Sequence, residues 1–363
     1  MKKYLVLILG VILFACTQQT GYEININLEG GEGQILLEQR GTSAWIPVDT
    51  VEIVDGVAIL EGEVAVPGEY YLSVLGQREK TIIFVENEKM TFIGKVDSLS
   101  MADITGSATH DEYKSVDNKI KKISEEYMKL YQQSREVAAA GDVAKAEELM
   151  VQVNEMYEST NVLQEDFIIN NPASYAAPYF LSRIQHGKEV KDLDELVKGL
   201  DPKLGTVQSI IDLKVRIEQL KTVAVGQIAP DFKQNDVDGN PIKFSDIYSE
   251  NELTLLDFWA AWCGPCRAEN PNVVAVYNDY KDKGFTVFGV SLDREKEAWL
   301  KAIEDDNLTW SHVSDLAYWQ NAAAKLYAVN SIPSSLIVDK TGKIVAKNKR
   351  AEELRATVAE LLD

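Results

Sequence analysis

The sequence predicts three parts in series: an all-β N-terminal region, sandwich or barrel-like, over residues 22–105; a helical middle segment over 107–222; and an α/β domain over 223–363. Three observations predict this. Short alternating or continuous apolar runs, separated by Gly, Pro, Asn and Asp, fill the first region. Apolar residues then recur at spacings of three and four. From "VAVGQIAPDF" onward, strand-like and helix-like stretches alternate, which implies a central sheet with helices on both faces.

Residues 1–16, "MKKYLVLILGVILFAC", stand apart. Two lysines precede an apolar run from Tyr4 to Ala15, too short to span a bilayer, which takes about 20 residues. The pattern is that of a secretory leader. Its "LFAC" ending resembles the bacterial lipobox, which implies cleavage before Cys16 and a lipid on that thiol. The protein is thus expected to be exported and tethered by lipid to a membrane facing the periplasm, the inner or outer membrane of a Gram-negative cell. The chain has three cysteines. With Cys16 lipidated, only Cys263 and Cys266 remain, and no structural disulfide framework is expected.

"YEININL", "QILLEQR", "VAILEGEV", "YYLSVL" and "TIIFVE" are the strands of the first region, with turns such as "EGGEG" and "VPGE" between them. It holds no catalytic constellation. In the middle segment Val116, Ile120, Ile123, Tyr127 and Leu130 line one helix face, which either packs on its own domain or forms the seam of a homodimer. Gly141 and Asp142 break that helix from the next, with Asp142 as N-cap. A further helix is expected to start near Pro172, and "DLDELVKGLDP" and "TVQSIIDLKVRIEQLKTV" complete the segment. In the last domain "DVDGNPIKFSDI" reads as a hairpin leading into a short helix. "LTLLDFWA" is an apolar strand of a sheet covered on both faces. A helix running from the cysteines to Gly284, a second strand "FTVFGVSL", two more helices, the hairpin "SSLIVDKTGKIVAK" and a final helix follow.

Charge narrows the function. Asp plus Glu number 57 against 37 Lys plus Arg, and no long basic run occurs. That argues against nucleic-acid binding, which depends on clustered cations. Chemistry concentrates in "WAAWCGPCRAENP". A structural zinc site takes four ligands, usually from two Cys pairs. Here there is one pair, and His110, His186 and His312 lie far along the chain, so no metal is expected. A redox pair fits better. A strand ending at Trp259 and a helix beginning at the cysteines put Cys263 at a helix N-terminus, where free N–H groups and the dipole favour a thiolate. Cys266, one turn on, can displace a partner from a mixed disulfide. Pro265 suits the first turn, and Gly264 lets another backbone approach. Trp259 and Trp262 read as walls of the site. Asp257 in an apolar strand is costly unless it has a role. With its pKa raised by burial it can take the Cys266 proton; Glu269 either assists or is an ordinary first-turn helix acid.

"DFWAAWCGPCRAENP" together with "NSIPSSLIVDKTGKI" resembles the thioredoxin superfamily, and "GQIAPDF" with "CGPCRAENP" resembles its exported TlpA/ResA-type thiol–disulfide oxidoreductases. The resemblance covers about residues 223–363. It implies a thioredoxin-like fold, Cys263 as the attacking and Cys266 as the resolving cysteine, and Pro333 as the cis-proline facing them. The backbone of Ile332 would then pair with a bound peptide, and Trp262, Gly264 and Pro265 would border it. Asp257 matches the buried acid of thioredoxins, and Glu269 a glutamate of the ResA-like group. No cofactor is implied. The implied partners are disulfide-containing client proteins and a membrane electron donor of the DsbD/CcdA kind, with cytochrome c maturation a usual client route. The β-rich region and helical segment are similar to those preceding the redox domain in lipid-anchored relatives. The leading expectation is a reductant. A disulfide oxidase or isomerase, a thiol peroxidase, and a surface binding protein with a secondary redox domain remain alternatives. The P-x-x-x-T-x-x-C motif of peroxiredoxins is absent.

Overall fold

The computed structural model describes residues 21–41 and 44–363; the expected leader and Cys16 lie outside them. One compact unit runs to Lys188 and includes Glu195–Ile211. The other comprises Glu189–Asp194 and Asp212–Asp363. Among the described residues, no helix is long and apolar enough to cross a membrane.

Among its described residues the first unit holds eight strands: β1 (Tyr22–Glu29), β2 (Gly33–Arg40), β3 (Trp45–Ile53), β4 (Val57–Gly62), β5 (Gly68–Val74), β6 (Lys80–Val85), β7 (Lys89–Lys95) and β8 (Asp103–Thr105). They form two four-stranded sheets, ordered β4-β1-β7-β8 and β3-β2-β5-β6. Ile24, Ile26 and Leu28 of one sheet and Ile35, Leu37, Leu72 and Ile83 of the other are buried in one core, so the region is a sandwich rather than a barrel. Three strands escape the sequence reading: β3, β7 and β8. β3 carries Pro47, which is tolerated because this is an edge strand and Pro47 sits opposite Glu38 where the register shifts.

Ser107 caps α1 (Ala108–Ala139), its Oγ accepting from His110 N at 3.0 Å. Asp142 caps α2 (Val143–Asn170) through Lys145 N. The two helices form a hairpin tied by Ser134 Oγ donating to Ala146 O. The Val116–Leu130 stripe is buried at Val116 and half-buried beyond, and Tyr127 meets Tyr157 of α2. The helix expected near Pro172 instead begins later, as α3 (Ala177–Ile184). Ser174 Oγ accepts from Ala176 N, a local bond that competes with helical pairing. α4 (Val190–Gly199) and α5 (Gln208–Thr222) follow.

The second unit contains β9 (Lys233–Asp236), β10 (Pro241–Lys243), α6 (Phe244–Tyr248), β11 (Leu253–Trp259), α7 (Gly264–Tyr280), β12 (Phe285–Ser291), α8 (Lys296–Asp305), β13 (Ser311–Ser314), α9 (Ala322–Leu326), β14 (Ser334–Asp339), β15 (Ile344–Lys347) and α10 (Ala351–Leu362). Its seven strands run β10-β9-β13-β12-β11-β14-β15. β11 pairs parallel with β12 and antiparallel with β14. Leu255, Leu256, Phe258 and Trp259 are buried on its two faces, each worth about 1.5–3 kcal/mol of burial. Gly284 turns the chain from the cysteine helix into β12 at φ +93°, a left-handed conformation suited to glycine.

Candidate active site

β11 ends at Trp259, and the chain enters α7 through Ala260–Cys263. Asp293, buried at the end of β12, holds this loop: its carboxylate accepts from Ala261 N at 3.2 and 3.0 Å and from Ser291 Oγ at 2.8 Å. Cys263 is the N-cap of α7, and its Sγ accepts from Cys266 N at 3.2 Å. The two cysteines are joined in a disulfide and both are buried. An anion on Cys263 would meet that amide and the helix dipole. Pro265 lies in the first turn, where a missing N–H leaves no bond unmade, and Gly264 and Pro265 are exposed. A side chain at Gly264 would meet open space, so a partner backbone has room there.

Two acids lie on the strand and the helix that meet at the pair. Asp257 lies within β11, an inner strand of the sheet, opposite Gly289 and Ser335. Residual surface remains on it, but crowding protein atoms desolvate the carboxyl and push its pKa up to about 7; the Arg350 charge opposes that rise and the Glu269 charge adds to it. Glu269 sits in the second turn of α7, so the first-turn reading is corrected. Its Oε1 accepts from Ala351 N at 2.7 Å, where it caps the start of α10, and its Oε2 accepts from Asn272 Nδ2. The Ile332–Pro333 peptide is cis. The register pairs Phe258 with Ser334, so Pro333 falls at the β11 end from which the cysteine loop leaves.

The profile of the AhpC/TSA family matches residues 225–347, and that of a domain of unknown function, DUF4369, matches residues 22–113. The thiol–disulfide oxidoreductase ResA of Geobacillus kaustophilus is 33% identical over 122 residues, 34% of this chain and 67% of that protein. The chain belongs to the ResA-type thiol–disulfide oxidoreductases. The ResA of Oceanobacillus iheyensis is 33% identical over 129 residues, and the chain spans 64% of that relative's length and 34% of its own. The thioredoxin domain of a thiol–disulfide oxidoreductase from Bacteroides vulgatus, a crystal structure, is 38% identical, with a TM-score of 0.36 over 39% of this chain and 99% of that one.

Cys263, Cys266, Trp262, Ile332 and Pro333 fall at the end of β11 where the chain passes into α7, while Asp257 lies within that strand and Glu269 in the second turn of α7. His312 is not among the site's chemical groups: it is buried on β13 beside Trp259, and burial pushes its pKa down to about 3. Among the described residues, no cluster of three or more His, Cys, Asp or Glu could hold a metal. Several neighbours escaped the sequence reading. Trp262, 46% exposed, packs its ring against Tyr318 and Trp319 at 5.1 and 5.9 Å. Trp262 and Tyr318, with Ala261, Asp293, Arg294, Glu295 and Ala298, line a cleft of about 440 Å³, Arg294 stacking over Tyr318 at 4.2 Å. Nothing in local pattern marks Tyr318; its left-handed φ of +56° is a property of the fold. Asn348 and Arg350 were also missed, since they lie in a polar turn some eighty residues from the cysteines.

Proposed function

We propose that this protein is an exported, lipid-anchored reductant of disulfides in extracytoplasmic client proteins. The observation that carries the reading is the conjunction of Cys263 at the cap of α7 with Asp257, an acid pushed up to about 7, in the strand before it. In the reduced form the Cys263 thiolate attacks one sulfur of a client disulfide. A Cys263–client mixed disulfide forms and the second client sulfur leaves as thiolate. Cys266 then loses its proton to Asp257 and attacks Cys263 Sγ. The Cys263–Cys266 disulfide closes, and the client's first sulfur departs as a thiolate that takes up a proton. Two electrons have passed from the dithiol to the client. A membrane dithiol donor of the DsbD/CcdA kind returns them by the reverse exchange. An acid with a pKa near 7 is matched to this proton transfer at neutral pH. Ile332 offers its backbone to an extended client beside the cis-proline, and Trp262, Gly264 and Pro265 border it. Lipidation at Cys16 would hold the redox domain at the membrane where such a donor works, with cytochrome c maturation one route its clients would serve.

The test is the reduction potential of the Cys263–Cys266 couple, equilibrated against dithiol and glutathione buffers. A value near that of thioredoxin, about −270 mV, is expected. A value near about −120 mV, that of a strong oxidant, would reverse the assigned direction of electron flow.

A further inference from the structure

We propose that the turn Asn348–Ala351 is a bracket that joins the cysteine helix to the cis-proline loop, and that Arg350 within it is a positioning residue for disulfide exchange. The proposal rests on the reductase reading above. Its basis is five bonds made by three residues of this four-residue turn. Asn348 Oδ1 accepts from Ser335 N at 3.1 Å and from Ser334 Oγ at 3.4 Å, and Asn348 N donates to Ser335 O at 2.8 Å. Arg350 Nη2 donates to the carbonyl of Pro333. Ala351 N donates to Glu269 Oε1 at 2.7 Å. One short turn therefore grips the first two residues of β14, the cis-proline itself and the second turn of α7. Asn348 and Ala351 hold φ of +52° and +47°, so the turn has the left-handed backbone that non-glycine residues keep only when their surroundings demand it.

The bracket has an electrostatic consequence. Charges from α7 and from the start of α10 bear on Asp257, and they are of opposite sign. Glu269 from α7 favours its protonated form; Arg350 from the α10 end favours its ionised form. Its neighbours on the flanking strands, Gly289 and Ser335, carry no charge. His312, next along that row on β13, is neutral at working pH. Lys347 pairs with Leu336, whose register partner is Leu256, so it belongs to the other face of the sheet. Arg350 is thus placed to do two things at once. It holds the Pro333 carbonyl, leaving Ile332 as the free edge for a client, and it keeps Asp257 available as a base.

The test uses the full chain with Arg350→Gln and Arg350→Lys. In the oxidised protein, carbon-13 carboxyl titration reads the Asp257 midpoint without any need for activity. Arg350→Gln should move that midpoint to higher pH by about half a unit or more, and Arg350→Lys should move it back toward wild type. Glu269→Gln should move it the opposite way. Reduction of a model peptide disulfide, followed against pH, should show the same alkaline displacement in Arg350→Gln. KM for the peptide should also rise several-fold in both Arg350 variants, since lysine cannot reproduce the guanidinium contact with Pro333. An Arg350→Gln midpoint identical to wild type, or one displaced in the same direction as Glu269→Gln, would overturn the bracket. If the wild type reduces no disulfide, the reductase reading falls, and the carboxyl titration still judges Arg350.

Discussion

Glu38 and Asp257 are both carboxylates on inner strands of a sheet, one in each compact unit, and their surroundings differ. Glu38, on β2 of the sandwich, is buried with its counter-groups supplied: Lys80 Nζ and Ser73 Oγ both donate to its Oε2. Asp257, on β11, has no such donor among the described residues. The cation that acts on it, Arg350, gives its hydrogen bond to the Pro333 carbonyl instead. A buried acid provided with a cation is a structural element. One left without a hydrogen-bond donor, in the strand that leads into the cysteine loop, has a pKa raised to about 7, the range that suits proton exchange at neutral pH. The contrast identifies which unit does chemistry more sharply than either fold does.

The contrast can be broken in four ways, from the largest expected effect to the smallest. Cys263→Ser should lower disulfide reduction by on the order of 10³-fold or more, measured as turnover of a peptide disulfide, while Lys80→Ala should leave turnover unchanged. Equal losses in both would mean that the sandwich takes part in the reaction. Asp257→Asn should lower turnover by about 10²-fold near neutral pH and yet stabilise the second unit. The folded protein binds the Asp257 proton more tightly than the unfolded chain, whose carboxyl titrates near 3.9. The stability from this group is therefore complete below about pH 4 and is lost as pH rises to about 7, an upper figure of about 4 kcal/mol. Denaturant unfolding followed by tryptophan fluorescence, which reports mainly this unit because every tryptophan but Trp45 lies in it, should find the variant close to wild type at pH 4 and more stable at pH 8.

Lys80→Ala strands the Glu38 carboxylate and should destabilise the sandwich by about 2 kcal/mol. That is below the 3–5 kcal/mol of a fully buried pair because the lysine is partly exposed. A far-ultraviolet circular dichroism melt would detect it, and an unchanged melt would mean that water already serves Glu38. Glu38→Gln keeps an acceptor for Ser73 and should cost about 1 kcal/mol in the same measurement.

Much of the site was legible in the sequence because its residues are close together in the chain or break a local rule. Cys263 and Cys266 declare themselves by spacing, Asp257 by being an acid in an apolar strand, and Asp142 by the cap chemistry that halts one helix and starts the next. β3 was lost because an edge strand tolerates a proline that pattern reading takes as a break. The start of α3 was misplaced because a serine bond outcompeted the helix locally. Glu269 was found but its position was not, since the cap it forms is on a helix that begins over eighty residues later.

The amino-acid sequence by itself determined most of the strands and helices, the cysteine pair and the acid in the apolar strand before it. These depend on periodicity, on the turn chemistry of single residues and on the cost of a carboxyl among apolar neighbours, all of which act over a few residues. Only the tertiary structure decided what surrounds them: the Trp262–Tyr318–Trp319 wall, the hold of Asp293 on the cysteine loop, and the turn that puts Arg350 on Pro333 and Ala351 on Glu269. Those contacts join strands and helices far apart in the chain. Their charges and hydrogen bonds act through space at a few ångströms, a distance that exists only after the sheet has brought the elements side by side.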